Sequence, residues 1–572
     1  MIDAGASDTL RSMRARVSGS GPASMSTSSI ATAVIVAVGV AVAVVIGVTG
    51  DFPLSDDWSY AYAARALCDD GELSFLPWTG ASLVFQAWYG AALCKLFGLS
   101  FTVLRISTVL LAIVGAVALH ALLRALDVDR RLAALAVATC CLGPLYVNLA
   151  FTWMTDVPFT VAVVVAGYLY VIGIERDDPA RLLIAGIACA AALLIRQHGI
   201  FVAAAAALAI LGSRSSALPD RLLRASAAAA FPVAVFLGFH LWLFFIHGAP
   251  SGLQDKVSEA GTLALTTIGN SAFRGLHYIG VLLVPLAVVL APSQLRKRPA
   301  VLATLAAALS ALVVFLYARE QVLMPYLTNV IYDFGLGPLS LRDTQFLGMA
   351  PPLQLGLPFG VLLTIGSTAA TAVVLTSMLG ASRRLGEPAF AFVAYAALLL
   401  FAGSLLHTKF YFDRYLLPVL PFAAAVVAAS SRPTRIGVGA WATAAALAWF
   451  AVAGTHDYME WNRARYAGIA ELERAGATVE DIDGGVEYNA WHLAASLWTW
   501  PTAEEARPGK PASQRSWWWV VDDRFVLAFR ELEGYDVVRE MSYLRLLVPG
   551  TGRVLVLERR HRRDERSDDV PS

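Results

Sequence analysis

The sequence predicts an all-α polytopic membrane protein with a small α/β domain at its C-terminal end. Of its 572 residues, 57% are hydrophobic and only 15% are charged, and the mean hydropathy is +0.62. These values are far more apolar than those of ordinary soluble proteins. Apolar runs recur along residues 30–453, whereas the charge density rises from Thr455 onward. The chain therefore divides into a membrane-embedded part and a more polar tail.

The apolar runs account for about thirteen membrane-spanning helices. The first run, Ile30 to Gly50, has no small-residue cleavage site after it, which indicates a spanning helix rather than a removable signal peptide. The segment 82–97 is also apolar, but Gln86 and Lys95 interrupt it, so we expect it to lie along the outer interface. The other runs cover residues 101–123, 132–150, 157–174, 181–195, 199–212, 226–246, 276–292, 300–317, 355–379, 388–406, 415–430 and 436–453.

The distribution of basic residues predicts the orientation of the chain in the cell membrane. Residues 1–29 are rich in Ser and Gly and are expected to form a disordered cytoplasmic tail. Arginine and lysine concentrate in every second short connection, which the positive-inside rule assigns to the cytoplasm. These residues are Arg124, Arg130, Arg131, Arg176, Arg181, Arg214, Arg221, Arg224, Arg296, Lys297, Arg298, Arg383, Arg384, Arg432 and Arg435. An odd number of spans then places residues 454–572 on the extracytoplasmic side.

The tail, residues 454–572, is predicted to be a small α/β domain of about 100 residues. Three short runs rich in aromatic and β-branched residues, 517–521, 535–538 and 553–557, predict strands between helices. The last residues, Arg559 to Ser572, are highly charged and are expected to fray.

Charge and cysteine content exclude several function classes. A net charge of +1 without a basic stripe argues against a nucleic-acid partner. The five cysteines show no metal-ligand spacing, which argues against a disulfide scaffold or a zinc site. Cys68 and Cys94 fall on the same predicted outer face and could pair.

Two adjacent carboxylates, Asp56 and Asp57, directly follow the first apolar run and are flanked by aromatic residues. Carboxylates beside a hydrocarbon layer are costly unless they are paired or used, so this pair is a functional candidate. The alternative is a helix cap, in which Ser55 or Asp56 opens a helix that begins near Trp58. The remaining chemistry-bearing residues lie in the same set of outer connections: Asp156, Arg196, His198, Lys409 and Arg414.

The order of these motifs resembles the GT-C class of integral-membrane glycosyltransferases, in particular the bacterial branch related to protein O-mannosyltransferases and the aminoarabinose transferase of lipid A. The motifs spread over nearly the whole chain. They are Asp56-Asp57-Trp58-Ser59-Tyr60 in the first outer loop, Asp156 in the second, Arg196-Gln197 after a short helix, and Asp-Arg-Tyr-Leu-Leu-Pro at 413–418. Each motif is weak by itself, and together they indicate the fold class more than the substrate.

The resemblance implies transfer of a sugar from a polyprenyl-phosphate donor to a glycan, lipid or protein acceptor on the outer face, with inversion at the anomeric carbon. It suggests Asp56 as the general base. Asp57 could orient the acceptor or serve as the base itself. Elementary chemistry agrees, because an acceptor hydroxyl is a poor nucleophile until a nearby carboxylate takes its proton.

A lipid phosphate leaves readily when its negative charge is stabilised. The expected substrate-binding residues are Tyr60, Arg196, His198, Lys409 and Arg414. Arginine suits this role because its planar fork matches two phosphate oxygens, although interfacial contact with lipid headgroups would explain any one of these cations equally well. Asp156 could pair with one of the arginines, position the acceptor, or cap the helix that starts at Val157.

Other segments leave alternatives open. The long outer connection 318–352 could close over the donor lipid or form an ordered surface turn. The segment Gly484 to Trp491 could contact carbohydrate, although ordinary domain core explains it more simply. The trio Asp56, Asp57 and Asp156 could hold a divalent metal ion through oxygen ligands, while Walker and dinucleotide glycine loops are absent from the sequence.

Two other function classes share this composition. A lipid or solute transporter or flippase would also be apolar and polytopic, but transporters tend to carry repeated halves and ionisable residues at mid-membrane, neither of which is apparent here. A non-catalytic assembly subunit of GT-C fold would keep the spans without needing the acidic residues. The collection of polar residues on one predicted face favours the enzyme.

Overall fold

The computed structural model describes residues 27–213, 216–406, 410–430, 435–496 and 519–560. Most of this part of the chain is helical, and the one sheet described lies near the C-terminal end, which confirms the predicted fold class. The first ten helices are α1 (Thr27–Ile46), α2 (Asp57–Asp69), α3 (Val84–Phe97), α4 (Phe101–Ala125), α5 (Arg130–Cys141), α6 (Pro144–Ala150), α7 (Asp156–Glu175), α8 (Pro179–Leu193), α9 (Ile200–Gly212) and α10 (Leu218–Trp242).

The second set of helices continues to the tail. It consists of α11 (Ser251–Thr262), α12 (Leu265–Leu282), α13 (Val284–Lys297), α14 (Pro299–Glu320), α15 (Leu357–Gly380), α16 (Pro388–Leu405), α17 (Val419–Ala429), α18 (Val438–Arg474) and α19 (Val486–Leu493). Short helical turns occur at Gln197–Gly199, Leu243–His247, Arg342–Phe346, Ala381–Gly386, Asp413–Leu416 and Val479–Asp481.

Eight of the described helices are long and apolar enough to cross a membrane, or ten if each of two bent helix pairs counts as one span. Three shorter apolar helices, Pro179–Leu193, Gln197–Gly212 and Val419–Ala429, add to these. The expected number of about thirteen is reached only if both bent pairs and all three short helices also cross. That number therefore stays a prediction.

Two predicted apolar runs are interrupted, which corrects the expectation of one straight helix in each. Helices α12 and α13 meet at 88° next to Leu283, and α5 and α6 meet at 58°. The second helix of each pair carries a proline in its first turn, Pro285 or Pro144. Proline lacks an N–H and fits the first turn of a helix but not its interior, so each proline starts a new helix.

The loop between α1 and α2 is held by the buried Arg105 of α4. Its guanidinium donates to the carbonyl oxygens of Val48 (3.1 Å), Gly50 (2.6 Å), Phe52 (2.9 Å) and Phe151 (2.9 Å). Charge-assisted bonds of this kind are stronger than neutral ones. One side chain thus fixes the backbone that leads into Asp56 and Asp57.

The tail contains a four-stranded sheet with strand order β1-β2-β4-β3. Its strands are β1 (Ile482–Asp483), β2 (Phe525–Ala528), β3 (Tyr535–Arg545) and β4 (Gly550–Arg559); β1 runs parallel to β2, and the other pairs are antiparallel. The predicted strands at 535–538 and 553–557 lie within β3 and β4. The strand predicted at 517–521 does not form over Trp519 to Val521, and residues 517 and 518 lie outside the described part of the chain.

The connection from α14 to α15 is ordered by contacts on both sides. The backbone N–H of Ile331 donates to the Asp413 carboxylate (2.6 Å), and the buried Arg342 forms ion pairs of 2.6 Å with Asp483 and with Asp523 of the tail. This geometry favours the ordered-turn interpretation of residues 318–352 over a freely closing lid. It also couples the membrane part to the tail.

Candidate active site

Asp56 lies just before α2, and its side chain is partly exposed, with 23% of its surface accessible. One carboxylate oxygen accepts a hydrogen bond from the indole Nε1 of Trp78 (3.1 Å), and the other lies 3.0 Å from an Nη of Arg414. The Asp56 side chain makes no capping bond to α2. Asp56 thus occupies the N-cap position of α2, as the helix-cap interpretation expected, but its carboxylate pairs with Arg414 and does not cap the helix.

Asp57, the next residue, is almost completely buried. Its two oxygens accept the backbone N–H groups of Leu54 (2.7 Å) and Trp153 (3.3 Å). Burial raises the pKa of Asp57 to about 8, although the two N–H groups and Arg105 oppose this shift. Asp57 thus ties the loop before α2 to the segment before α7, while the Asp56 side chain stays partly exposed.

Arg414 lies in the helical turn after the Asp413 position and is only 6% exposed. Its Nη2 pairs with Asp56, but its Nε and Nη1 are buried without a hydrogen-bond partner among the described residues. The guanidinium lies over the rings of Phe412 and Tyr415, at 5.6 and 5.8 Å from the ring centroids. Because unpaired buried donors are costly, the three N–H groups on these two nitrogens make this a candidate place for an anionic ligand.

Asp413 contacts the backbone and not the guanidinium of Arg414. Its carboxylate accepts the backbone N–H groups of Val330, Ile331 and Arg414. Burial raises the pKa of Asp413 to about 7, against the effect of these three donors. Its role is to hold the long connection against the turn that presents Arg414.

Asp156 and Arg196 form a second ion pair, 3.1 Å apart, at the start of α7. The Nε of Arg196 also donates to the Thr155 hydroxyl (2.7 Å). The structure thus shows Asp156 paired with an arginine, which is one of its three interpretations, while a role in positioning the acceptor stays a prediction. One Asp156 oxygen has no hydrogen bond of good geometry within the described chain.

Lys256 is a residue that sequence reasoning missed. It lies on α11 and its ammonium donates to the carbonyl oxygen of Gly80 (3.4 Å). Burial, together with the positive charges of Arg414 and Arg196, lowers the pKa of Lys256 to about 8. The available signal was a lysine in a connection that the charge pattern places outside, where basic residues are uncommon.

Tyr60 lies on α2 in the same electrostatic environment. Burial raises the pKa of its phenol, and the charges of Asp56, Arg414, Arg196 and Asp156 all act on it. The phenol therefore stays protonated and able to donate a hydrogen bond. The structure thus gathers Asp56, Tyr60, Asp156, Arg196, Arg414 and Lys256 around one site.

The two remaining predicted binding residues are His198 and Lys409. His198 is half-buried beside Phe201, with ring centroids 5.9 Å apart, and the charges of Arg196 and Lys256 act on it. Lys409 lies outside the described residues.

The predicted acidic trio does not assemble into a metal site. In the described ranges, the one group of three metal-ligand side chains in close contact is Cys68, Asp69 and Cys94. The two cysteines of that group form a disulfide between α2 and α3, so they offer no thiolate ligands. This disulfide also confirms that Cys68 pairs with Cys94, which the sequence left open.

Helix α19 of the tail contacts the first outer loop through Glu487, which is 2% exposed. One Glu487 oxygen accepts the backbone N–H of Ser55 (3.3 Å), and the other lies 3.0 Å from Arg465 and 2.5 Å from the Ser340 hydroxyl. The carboxylate is thus fully used in packing the tail against the residue before Asp56. Within the segment Gly484 to Trp491, Glu487 has no free oxygen for a sugar.

Residues 82–242 match the sequence profile of the dolichyl-phosphate-mannose-protein mannosyltransferase family. Over this segment the chain is similar to those enzymes. The match confirms the predicted resemblance and supports glycosyltransferase activity. The matched segment holds Asp156 and Arg196 but neither Asp56 nor Arg414. No curated protein matches the sequence significantly.

The solved structures that match this chain are distant in sequence. ArnT from Cupriavidus metallidurans bound to undecaprenyl phosphate is 17% identical, with 92% of this chain and 97% of that chain covered and a TM-score of 0.40. The oligosaccharyltransferase AglB from Archaeoglobus fulgidus is 14% identical, with 79% and 58% covered and a TM-score of 0.42. The S. cerevisiae protein O-mannosyltransferase Pmt1-Pmt2 complex, bound to the sugar donor, is 18% identical, with 38% and 34% covered and a TM-score of 0.31. This chain therefore spans less than two thirds of the archaeal and yeast chains that it matches.

Proposed function

We propose that this protein is an inverting glycosyltransferase that moves a sugar from a polyprenyl-phosphate donor to a hydroxyl acceptor on the extracytoplasmic face of the membrane. The family whose profile matches residues 82–242 is described by a lipid-phosphate-linked sugar donor. The acceptor is a glycan, a lipid or a protein of the cell envelope. The charges gathered around Asp56 and Arg414 suit this chemistry.

The observation that carries the proposal is the pairing of Asp56 with Arg414. The partly exposed Asp56 side chain lies 3.0 Å from a buried guanidinium that keeps two nitrogens, Nε and Nη1, without a partner in the described structure. Arg414 can therefore donate to a phosphate oxygen while it still orients Asp56, the proposed base. A carboxylate beside an anion-binding group is the arrangement that direct displacement at a glycosyl phosphate requires.

In the proposed step, Asp56 takes the proton of the acceptor hydroxyl as that oxygen forms a bond to the anomeric carbon of the donor. The bond between the anomeric carbon and the phosphate oxygen breaks, and its electron pair leaves with the lipid phosphate. Arg414, Arg196 and Lys256 stabilise the negative charge of the leaving phosphate. A single displacement of this kind inverts the anomeric carbon.

Asp56 is assigned as the base in preference to Asp57 because of their surroundings. Asp57 is enclosed, uses both oxygens on backbone N–H groups, and has a pKa raised to about 8 by burial. A base must reach the substrate proton, and only Asp56 of the two has a partly exposed side chain. Asp57 instead sets the position of the loop.

The extracytoplasmic location is supported by the disulfide near the site. The bond between Cys68 and Cys94 joins two helices that follow the first apolar run. Disulfides persist in oxidising compartments and are rare in the cytosol. The contact of Glu487 with the backbone of Ser55 supports the same side for the described part of the tail.

The test is transfer of radiolabelled sugar from a panel of polyprenyl-phosphate donors to membrane acceptors by the purified full-length protein in lipid. Asp56→Asn is expected to lower the turnover rate by about 10²- to 10⁴-fold, the usual contribution of a general base. Asp70→Asn serves as the matched control, since Asp70 is exposed at the far end of α2.

Asp57→Asn separates the two carboxylates. If Asp57→Asn abolishes transfer while Asp56→Asn retains it, the base assignment is wrong. If the wild-type protein consumes no donor in a broad panel, the glycosyltransferase proposal itself fails.

A further inference from the structure

A large cavity lies far from the candidate active site, between the first spanning helix and the helices that follow it. It measures about 670 Å³ and is enclosed by α1, α4, α5 and α6, with Trp441 of α18 at its edge. This volume is within the range of cavities that hold small organic ligands. None of the residues placed in the candidate active site lines it.

The walls of the cavity are apolar and about as long as one leaflet of a bilayer. On α1 they extend from Ala31 to Val42, which corresponds to ~17 Å of helix. Half of the hydrocarbon core of a bilayer measures ~15 Å. Helix α1 touches α4 closely at Gly39, where a Cβ would lie 2.6 Å from Ile113, so α1 forms a wall and does not fill the space. The cavity thus has the depth of one acyl chain.

One end of the cavity is basic. Arg124 lies in the last turn of α4 and Arg130 is the first residue of α5, and both line the cavity together with His120. Arg124 donates to the carbonyl of Val128, while Arg130 is exposed and makes no ion pair with any described residue. Asp127 and Asp129 belong to the same connection but do not line the cavity.

Along α4, the basic end lies ~35 Å from Phe101, which is near the loop of Asp56. The cavity mouth is therefore at the opposite membrane face. An apolar slot of one-leaflet depth with cations at its mouth complements a lipid that has a negatively charged headgroup.

We propose that this cavity binds one anionic diacyl phospholipid from the leaflet opposite the candidate active site. An acyl chain occupies the space between α1 and the α4–α6 wall, and the headgroup phosphate contacts Arg124 and Arg130. The bound lipid completes the packing of α1 against the rest of the protein. This site is independent of the proposed sugar transfer.

Native mass spectrometry of the purified full-length protein tests the proposal, after equilibration in micelles containing equal amounts of phosphatidylglycerol and phosphatidylcholine. The wild-type protein is expected to retain one phosphatidylglycerol in preference to phosphatidylcholine. Arg124→Gln/Arg130→Gln should reduce that preference by on the order of tenfold, given the strength of cation–headgroup attraction. Ala134→Phe, which fills the cavity, should abolish retention of either lipid.

Two matched controls are available. Arg131→Gln removes the same charge one residue away from the cavity, and Leu110→Phe places the same aromatic side chain on a lipid-facing surface of α4. Both should retain the lipid as the wild type does. Equal retention of the two lipids by the wild type, or a loss in Arg131→Gln equal to that in the double variant, would overturn the proposal. Displacement of phosphatidylglycerol by undecaprenyl phosphate at equal concentration would also overturn it, because the occupant would then be a polyprenyl chain.

Discussion

At the scale of single residues, the ionisation of Asp57 should affect stability in a predictable direction. Burial raises its pKa in the folded protein from 3.8 to about 8. The folded state therefore binds the Asp57 proton more tightly than the unfolded state does. The stability that this tighter proton binding contributes is complete below about pH 4 and is lost as the pH rises towards 8. Asp57→Asn removes the ionisation.

The expected result is that the wild-type unfolding midpoint falls relative to that of Asp57→Asn between pH 5 and pH 8. Asp413, with a pKa of about 7, also changes the stability over this range. Because it is present in both proteins, its contribution cancels in the difference between their unfolding midpoints. The measurement is thermal unfolding in detergent at four pH values. A constant difference between the two proteins would show that Asp57 does not titrate in this range.

In the proposed mechanism, binding of the donor phosphate depends most on Arg414. Its two unpaired buried nitrogens, Nε and Nη1, are expected to donate to the phosphate of the donor, and their loss removes charge stabilisation at the leaving group. Arg414→Gln should lower the turnover rate by about 10²- to 10³-fold, in line with the removal of one such donor elsewhere. Arg414→Lys should recover part of this loss, because it restores charge without the planar fork.

The measurement for Arg414 is the rate of sugar transfer at saturating donor, with Arg524→Gln as the control for an exposed arginine of the tail. If Arg414→Gln keeps the wild-type rate and only weakens acceptor binding, Arg414 does not face the leaving phosphate.

Sequence reasoning identified most of the charged groups of the site but could not assign their partners. Asp56 and Asp57 are adjacent, so their difference in burial depends on the exact position at which α2 begins and on contacts with Trp78 and Trp153. Lys256 has no local motif, and its proximity to the two arginines results from the packing of α11 across the chain. Such contacts between distant segments have no signature in a single sequence.

At the scale of elements, the disulfide between Cys68 and Cys94 should stabilise the outer helices α2 and α3. The bond closes a loop with a sequence separation of 26 residues. In the chain-entropy account, a loop of this size contributes roughly 3 kcal/mol. The variant Cys68→Ala/Cys94→Ala is therefore expected to unfold earlier than the wild type and to lose its sensitivity to reductant.

The measurement compares unfolding midpoints with and without dithiothreitol, with Cys141→Ala as the control for a free cysteine. A wild-type protein that does not respond to the reductant, although its thiols become reactive, would contradict a stabilising role.

Hydrophobic patterning predicted the positions of the helices well, because spans of this length need only composition and length to be recognised. Patterning failed at the bends. The run 276–292 reads as one span, yet a proline two residues into α13 turns the chain by 88° beside Leu283. Short helices such as Val419–Ala429 are also ambiguous, since length alone does not decide whether they cross.

At the scale of the whole molecule, the tail is joined to the candidate active site through Glu487. This buried carboxylate contacts Arg465 of the long helix α18, Ser340 of the α14–α15 connection and the backbone of Ser55. Helix α18 runs from the apolar region into the tail without a break. The tail therefore acts as a support for the loop that presents Asp56, and its effect on activity should pass through this contact.

Glu487→Gln keeps the size of the side chain but leaves the guanidinium of Arg465 buried without its charge partner. Loss of one partner from a buried pair costs about 3 kcal/mol, so the variant should unfold at a lower temperature. Because the amide holds the Ser55 backbone less firmly, the turnover rate of sugar transfer should fall while the affinity for the donor changes little.

Glu480→Gln, an exposed position in the same domain, is the control for both measurements. A Glu487→Gln protein that is less stable yet transfers sugar at the wild-type rate would show that the tail stabilises the fold without positioning Asp56.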